Sequence, residues 1–185
     1  VAFKRDWAGA QADYAKGLAL DPSFRYAEGN SDRMLIAQGK VPEAIALLRR
    51  TVELDPLSSQ DWGQLGRMLN AVGQFDEARA ALDRSLEINP ESNVVLFHRG
   101  MNDLLQGRPD AAMAWFRKAG SGYGGAGRIM AQHSRGDDKA SRAELDAEIA
   151  AYAQGAAYQI AEAYAWRGEG DQAFEWLDRA YAQND

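Results

Sequence analysis

The stretch DWGQLGRMLNAVGQFDEARAALDRSLEINP, residues 61–90, contains two helical patterns separated by a glycine. In each half the apolar residues recur every three or four positions, which places them on one face of an α-helix. They are Trp62, Leu65, Leu69 and Val72 in the first half, and Phe75, Ala78, Leu82 and Leu86 in the second. Gly73 ends the first pattern, as a glycine after a helix commonly does. The stretch therefore predicts a helical hairpin with a tight turn.

The same pattern recurs along the chain with a fixed period. Pro22, Pro56 and Pro90 are evenly spaced, and each closes a similar phrase, LDP, LDP and INP. Three glycines that follow helical stretches have the same even spacing: Gly39, Gly73 and Gly107. Because two kinds of helix-ending residue keep one register, the sequence predicts an array of repeated hairpins.

The repeat unit, whose period is 34 residues, resembles the tetratricopeptide repeat (TPR). The residues at its signature positions are Trp62, Leu65, Gly66, Leu69, Gly73, Ala78, Leu82, Ser85 and Pro90, of which only Ser85 is unusual, since the family prefers Ala there. Small residues at Gly66 and Ala78 would let the two helices cross closely. The resemblance implies an all-α fold, a right-handed α-solenoid of antiparallel helix hairpins, the TPR superhelix.

The register divides the chain into one half-repeat and five further units. Residues 1–22 predict a leading second helix, 23–56, 57–90 and 91–120 predict TPRs, 121–155 a shortened divergent repeat after a glycine-rich joint, and 156–185 a C-terminal TPR. The last segment resembles the C-terminal TPR arrays of bacterial proteins that join them to a cyclase, kinase or winged-helix domain. The chain starts at Val1 without a basic, apolar leader, so we expect an internal fragment of a cytoplasmic protein.

Composition argues against several kinds of partner and chemistry. The 185 residues carry a net charge of −6, which disfavours nucleic acid because phosphate binding depends on accumulated Lys and Arg. No run of 18 apolar residues is present, so we expect no membrane span. With no Cys and two His, disulfides, thiol catalysis and most metal sites are disfavoured.

Three features of the sequence resemble catalytic, metal-binding or cofactor-binding motifs, but local structure explains them better. Residues 120–127, GSGYGGAG, spell a dinucleotide-loop motif, but a helix rather than a strand is predicted before them, so we interpret them as a flexible joint. His98 and His133 lack the spacing of a metal pair. Asp137 and Asp138 follow a predicted helix stop, where Asp commonly caps the next helix. We therefore expect no cofactor, no metal and no enzymatic activity.

The remaining candidate site is the concave groove that the first helices of stacked hairpins line. In the TPR register its residues are Tyr26, Asn30, Arg33 and Ala37, then Gln60, Gln64, Arg67 and Asn70, then Phe97, His98, Met101 and Leu105. Arg33 and Arg67 occupy the same position on adjacent repeats and could clamp a carboxylate. The alternative is that both are solvated or pair with Asp32 and Asp61.

The sequence thus predicts a scaffold that binds a protein or peptide through its groove and has no enzymatic function. The alternative is a regulatory arm that contacts the effector domain of its own larger protein. A further expectation concerns the first helix, where Trp7, Ala10, Tyr14 and Leu18 form an apolar face that a complete repeat would cover. Exposed apolar surface of this kind favours self-association through the N-terminal edge.

Overall fold

The computed structural model describes residues 7–20 and 34–183. Within these ranges the secondary structure is helical and contains no strand, so the predicted all-α class is confirmed. Residues 34–37 are also helical. The longer helices are α1 (Trp7–Leu20), α2 (Val41–Leu54), α3 (Ser59–Ala71), α4 (Phe75–Ile88), α5 (Asn93–Leu105), α6 (Pro109–Lys118), α7 (Tyr123–Ser134), α8 (Asp138–Tyr152), α9 (Ala157–Trp166) and α10 (Gly170–Gln183).

Successive helices pack into hairpins that stack side by side. Helix α3 packs against α4, α5 against α6, α7 against α8, and α9 against α10. The first helices of these hairpins, α3, α5, α7 and α9, also contact one another in that order and so form one layer. This is the α-solenoid that the repeat predicts. The helices lie inside the predicted repeat boundaries, which themselves stay a prediction.

A glycine in the left-handed conformation follows the first helix of each of these hairpins. At Gly73 the φ angle is +77°, a conformation that side chains with a Cβ rarely adopt. The Gly73 N–H donates to the Asn70 carbonyl at 3.1 Å, and the Gln74 N–H donates to the Leu69 carbonyl at 2.9 Å. This pair of bonds is a Schellman motif, which satisfies carbonyls that the helix end leaves unpaired. The glycines after α3, α5, α7 and α9 are Gly73, Gly107, Gly136 and Gly168, so the predicted helix stops at Gly73 and Gly107 are confirmed.

The two helices of the central hairpin cross closely at Gly66. A Cβ placed on Gly66 would lie 2.4 Å from Leu82 Cγ and 3.1 Å from the carbonyl oxygen of Ala78. Leu82 and Ala78 are both fully buried. A larger side chain at either small residue would therefore force α3 and α4 apart, which confirms the reason expected for these signature positions.

Buried amides tie neighbouring hairpins together. Asn102 of α5 is fully buried, and its side-chain N–H groups donate to Asn70 Oδ1 at 2.7 Å and to the Phe75 carbonyl at 2.9 Å. Asn70 in turn donates to the His98 carbonyl at 3.0 Å. Because unpaired buried amides are costly, these bonds favour one register between adjacent hairpins.

The structure of the glycine-rich segment, residues 120–127, differs from the flexible joint that the sequence predicts. Helix α7 begins at Tyr123, and Gly124, Gly125 and Gly127 are buried within it. A Cβ on Gly124 would lie 2.4 Å from the carbonyl oxygen of Phe116, and one on Gly125 would lie 2.3 Å from a carboxylate oxygen of Glu148. These glycines therefore permit close helix packing, and the interpretation of the whole segment as a flexible joint is wrong.

The ring of Phe116 occupies the space that two glycines leave. Phe116 is fully buried in α6. A Cβ on Gly100 of α5 would lie 2.4 Å from this ring, and one on Gly127 of α7 would lie 2.2 Å from it. Since the ring is held from both sides, it cannot move away from one helix without meeting the other.

One sequence prediction concerns the apolar face of helix α1. Helix α1 corresponds to the predicted second helix of the leading half-repeat. The structure describes the backbone of this helix but not the side chains of its apolar face, Trp7, Ala10, Tyr14 and Leu18. Self-association through this edge stays a prediction.

In the described part of the chain, no helix combines the length and apolarity that a membrane crossing requires.

Candidate functional site

The layer of first helices lines a large pocket. Its volume is about 800 Å³, and α3, α5, α7 and α9 all contribute side chains, together with the loop before α5. The lining residues are Ser59, Gln60, Gly63, Gln64, Arg67, Asn89, Ser92, Val94, Val95, Phe97, His98, Tyr123, Tyr158 and Glu162. The pocket thus spans four successive hairpins, which is the geometry expected for the groove of a helical solenoid.

Helix α3 supplies a polar wall. Ser58 caps this helix by accepting a hydrogen bond from the Asp61 N–H at 3.3 Å. Gln60, Gln64 and Arg67 then follow at helical spacing and line the pocket, whereas Leu65 and Leu69 of the same helix lie in the core. Arg67 Nε donates to Gln64 Oε1 at 2.9 Å, which orients the guanidinium along the wall. The wall can donate and accept hydrogen bonds and carries one positive charge.

Helix α5 supplies an aromatic floor. Phe97 is 3% exposed, and its ring centroid lies 5.3 Å from that of His98 and 5.7 Å from that of Tyr123 in α7. Burial, together with the charge of Arg67, lowers the pKa of His98 to about 3. His98 is therefore neutral at physiological pH and can donate or accept one hydrogen bond without adding charge.

Helix α9 supplies the opposite wall with Tyr158 and Glu162. The two residues are one helical turn apart, and Tyr158 hydrogen-bonds the Glu162 carboxylate. Burial raises the pKa of Glu162 to about 7, although that hydrogen bond and the charge of Arg67 both act in the other direction. The repulsion of the Glu162 charge is the main reason that the pKa of Tyr158 is raised. The pocket therefore contains a carboxyl group whose charge is poorly compensated.

Part of the predicted groove lines this pocket. The residues that do so are Gln60, Gln64, Arg67, Phe97 and His98. Asn70 does not, because its side chain is 7% exposed and is used in the bonds between hairpins. Met101 packs partly buried against the core around Phe97, while Ala37 and Leu105 are exposed away from the pocket lining. Tyr26, Asn30 and Arg33 lie outside the described residues.

The sequence analysis missed Tyr123, Tyr158 and Glu162. Glu162 stands six positions before Gly168, as Arg67 stands six before Gly73, and Tyr158 stands ten before, as Gly63 does. Extending the register to the last repeat would have found both residues. Tyr123 escaped because it lies in the glycine-rich segment that was interpreted as a joint.

The other chemical candidates have structural roles. Asp137 caps α8 by accepting a hydrogen bond from the Ala140 N–H at 3.2 Å, as expected. His133 Nδ1 lies 2.6 Å from Asp138 Oδ1 across the same turn. Over residues 7–20 and 34–183, no group of three or more His, Cys, Asp or Glu side chains could hold a metal ion.

Comparison with known proteins supports the repeat. Two family models described as tetratricopeptide repeat match, one over residues 35–97 and the other over residues 93–118, and neither describes a catalytic domain. No curated protein matches the sequence. Residues 35–118 thus match the tetratricopeptide repeat, and the chain folds as a TPR-type solenoid. The resemblance to arrays fused to a cyclase, kinase or winged-helix domain stays a prediction.

Solved TPR structures share the fold at low sequence identity. YrrB, described as a TPR protein with an unusual peptide-binding site, is 16% identical with a TM-score of 0.59, covering 92% of this chain and 91% of YrrB. A thermophilic TPR protein from Thermus thermophilus is 17% identical with a TM-score of 0.66, covering 84% and 89%. A tetratricopeptide repeat protein from Parabacteroides merdae is 17% identical with a TM-score of 0.66, covering 97% and 74%. At these identities the likeness shows the fold alone.

Proposed function

We propose that this protein is a scaffold that binds a peptide segment of a partner protein in the groove of its TPR array. The observation that carries the proposal is the pocket of about 800 Å³ to which four successive hairpins contribute. Its hydrogen-bonding walls and aromatic floor suit an extended chain, which offers backbone groups along its length and side chains on both faces. YrrB, which shares this fold, is described as having a peptide-binding site, and this supports the proposal of peptide binding here.

Within the groove we propose Arg67, with Arg33 in the preceding repeat, as the anchor for an acidic group of the ligand. Arg67 lies on the polar wall beside Gln60 and Gln64, all of which line the pocket. Arginine suits this role because its planar guanidinium can bind both oxygens of a carboxylate. Arg33 enters the proposal because it occupies the position equivalent to Arg67 in the preceding repeat.

Selection from a displayed library of random peptides would test the groove. Peptides selected on the parent protein should bind a Gln64→Trp variant at least tenfold more weakly, because the indole would project into the pocket and obstruct it. An Arg33→Ala/Arg67→Ala variant should lose more than about 1 kcal/mol of affinity, as for a charged hydrogen bond. Arg84→Ala is the matched control, since Arg84 pairs with Glu87 on α4 and does not line the pocket.

Helicity measured by circular dichroism should be the same in all four proteins. Selected peptides that bind Gln64→Trp as tightly as the parent would show that they occupy another surface. Unchanged affinity in the double arginine variant would remove the arginines from the site while leaving the groove in place.

A further inference from the structure

We propose that the groove recognises a basic side chain of its peptide ligand, a lysine or an arginine, through Glu162 and the tyrosines Tyr158 and Tyr123. This inference rests on the proposed function, because it names the ligand chemistry of the same groove. It assigns the selective contact to α9, in the last hairpin, which lines the same pocket as the wall that carries Arg67.

The geometry at this wall suits a cation. Glu162 and Tyr158 project from α9 into the pocket, and Tyr123 enters it from the start of α7. Tyr158 hydrogen-bonds the Glu162 carboxylate from one turn earlier, which holds the acid in place. Aromatic faces attract cations through their negative quadrupole, so the two tyrosines favour the same ligand charge as the carboxylate does.

The charge balance of the pocket points in the same direction. Among the described lining residues, Arg67 and Glu162 are those with formally charged side chains. Arg67 is hydrogen-bonded to Gln64 on its own helix. Burial raises the pKa of Glu162 to about 7 even with Arg67 in the pocket, so the cost of burying this carboxylate exceeds what Arg67 returns. A ligand cation would supply the missing compensation.

An acidic ligand group at Glu162 would have the opposite effect, because two carboxylates in a partly buried site repel each other. Arg67 is the positive charge of the described lining and already leaves the pKa of Glu162 raised, and the neutral imidazole of His98, whose pKa is about 3, adds no further positive charge. Arg67 and Glu162 also occupy equivalent register positions, six before Gly73 and Gly168. One peptide can therefore present an acidic group to α3 and a basic group to α9.

This recognition makes binding depend on pH. The titratable or charged side chains that line the pocket around Glu162 are Arg67 from α3, His98 from α5, Tyr123 from α7 and Tyr158 from α9. Glu162, with a pKa of about 7, changes its ionisation near neutral pH, whereas His98, with a pKa of about 3, stays neutral there. A cation needs the ionised form, and with a pKa of about 7 the ionised fraction falls about tenfold between pH 8 and pH 6. Affinity should fall by the same factor.

Parallel selection of displayed random heptapeptides at pH 8 tests the inference. On the parent protein we expect lysine or arginine to be enriched at one position. On Glu162→Gln, which keeps the size of the side chain, this enrichment should disappear, and on Glu162→Lys an acidic residue should replace it. Glu175→Gln is the matched control, because Glu175 is exposed on α10 outside the pocket and its removal should leave the enrichment unchanged.

The outcomes separate this inference from the proposed function. Peptides that lose binding with Gln64→Trp but show no basic enrichment, or keep it on Glu162→Gln, would overturn the inference and leave the groove function standing. Failure of the parent protein to select any peptide would overturn both. Affinity of a selected basic peptide that is equal at pH 6 and pH 8 would also contradict the role of Glu162.

Discussion

Gly127→Ala would show whether the glycine-rich segment is a packed helix or a joint. A Cβ at this position would lie 2.2 Å from the Phe116 ring, which Gly100 confines from the other side. Overpacking a filled core typically costs about 1–3 kcal/mol. The higher helix propensity of Ala returns about 1 kcal/mol. Because the contact is more than 1 Å shorter than an ordinary one, we expect the upper end of the cost and a net loss of about 2 kcal/mol.

Urea unfolding followed by circular dichroism would measure this loss. The matched control is Gly170→Ala, since a Cβ on Gly170 in α10 meets nothing within 4 Å and should be neutral or slightly stabilising. Placing Gly127→Ala in a Phe116→Leu background should reduce its cost, because the smaller side chain leaves room for the methyl group. Equal stability of Gly127→Ala and Gly170→Ala would refute the packing argument.

Three further variants test other parts of the fold. Gly73→Ala should lose about 1 kcal/mol in urea unfolding because of its φ of +77°, and a gain would contradict the left-handed turn. Asn102→Ala should lose about 1–3 kcal/mol, since it leaves Asn70 and the Phe75 carbonyl without their buried donor, and a neutral effect would show that water replaces it. His98→Gln should flatten the acid side of the stability profile. The folded pKa of His98 lies near 3, so the unfolded chain binds the extra proton and stability falls as pH drops below about 6.5. An unchanged profile between pH 6.5 and pH 4 would refute that assignment.

The sequence was informative wherever one residue type satisfies a local requirement. Gly73 and Gly107 could be recognised as helix ends because a left-handed turn strongly favours glycine, and the structure has them at φ of +77° and +71°. Gly66 and Ala78 were likewise readable, because a close helix crossing excludes larger side chains. These requirements are local or repeat with the period of the array, so one sequence is enough to show them.

The glycine-rich segment was misread because glycine serves two opposite purposes. The same residue that frees a backbone in a loop also lets helices approach closely, and only the partner decides between them. For Gly127 that partner is Phe116 in the preceding helix, and for Gly125 it is Glu148 near the end of the following one. The helix period alone does not identify such neighbours, since they depend on how hairpins stack.

In the groove, the sequence predicts the position of a residue but not its electrostatic environment. Register places Arg67 and Glu162 at equivalent positions, six before Gly73 and Gly168, and so predicts that both face the concave side. Register does not reveal that Glu162 is a desolvated carboxylate with a raised pKa, because its environment is a pocket to which side chains from α3, α5 and α7 also contribute. Equivalent positions in a solenoid therefore share an orientation but differ in their electrostatic environment.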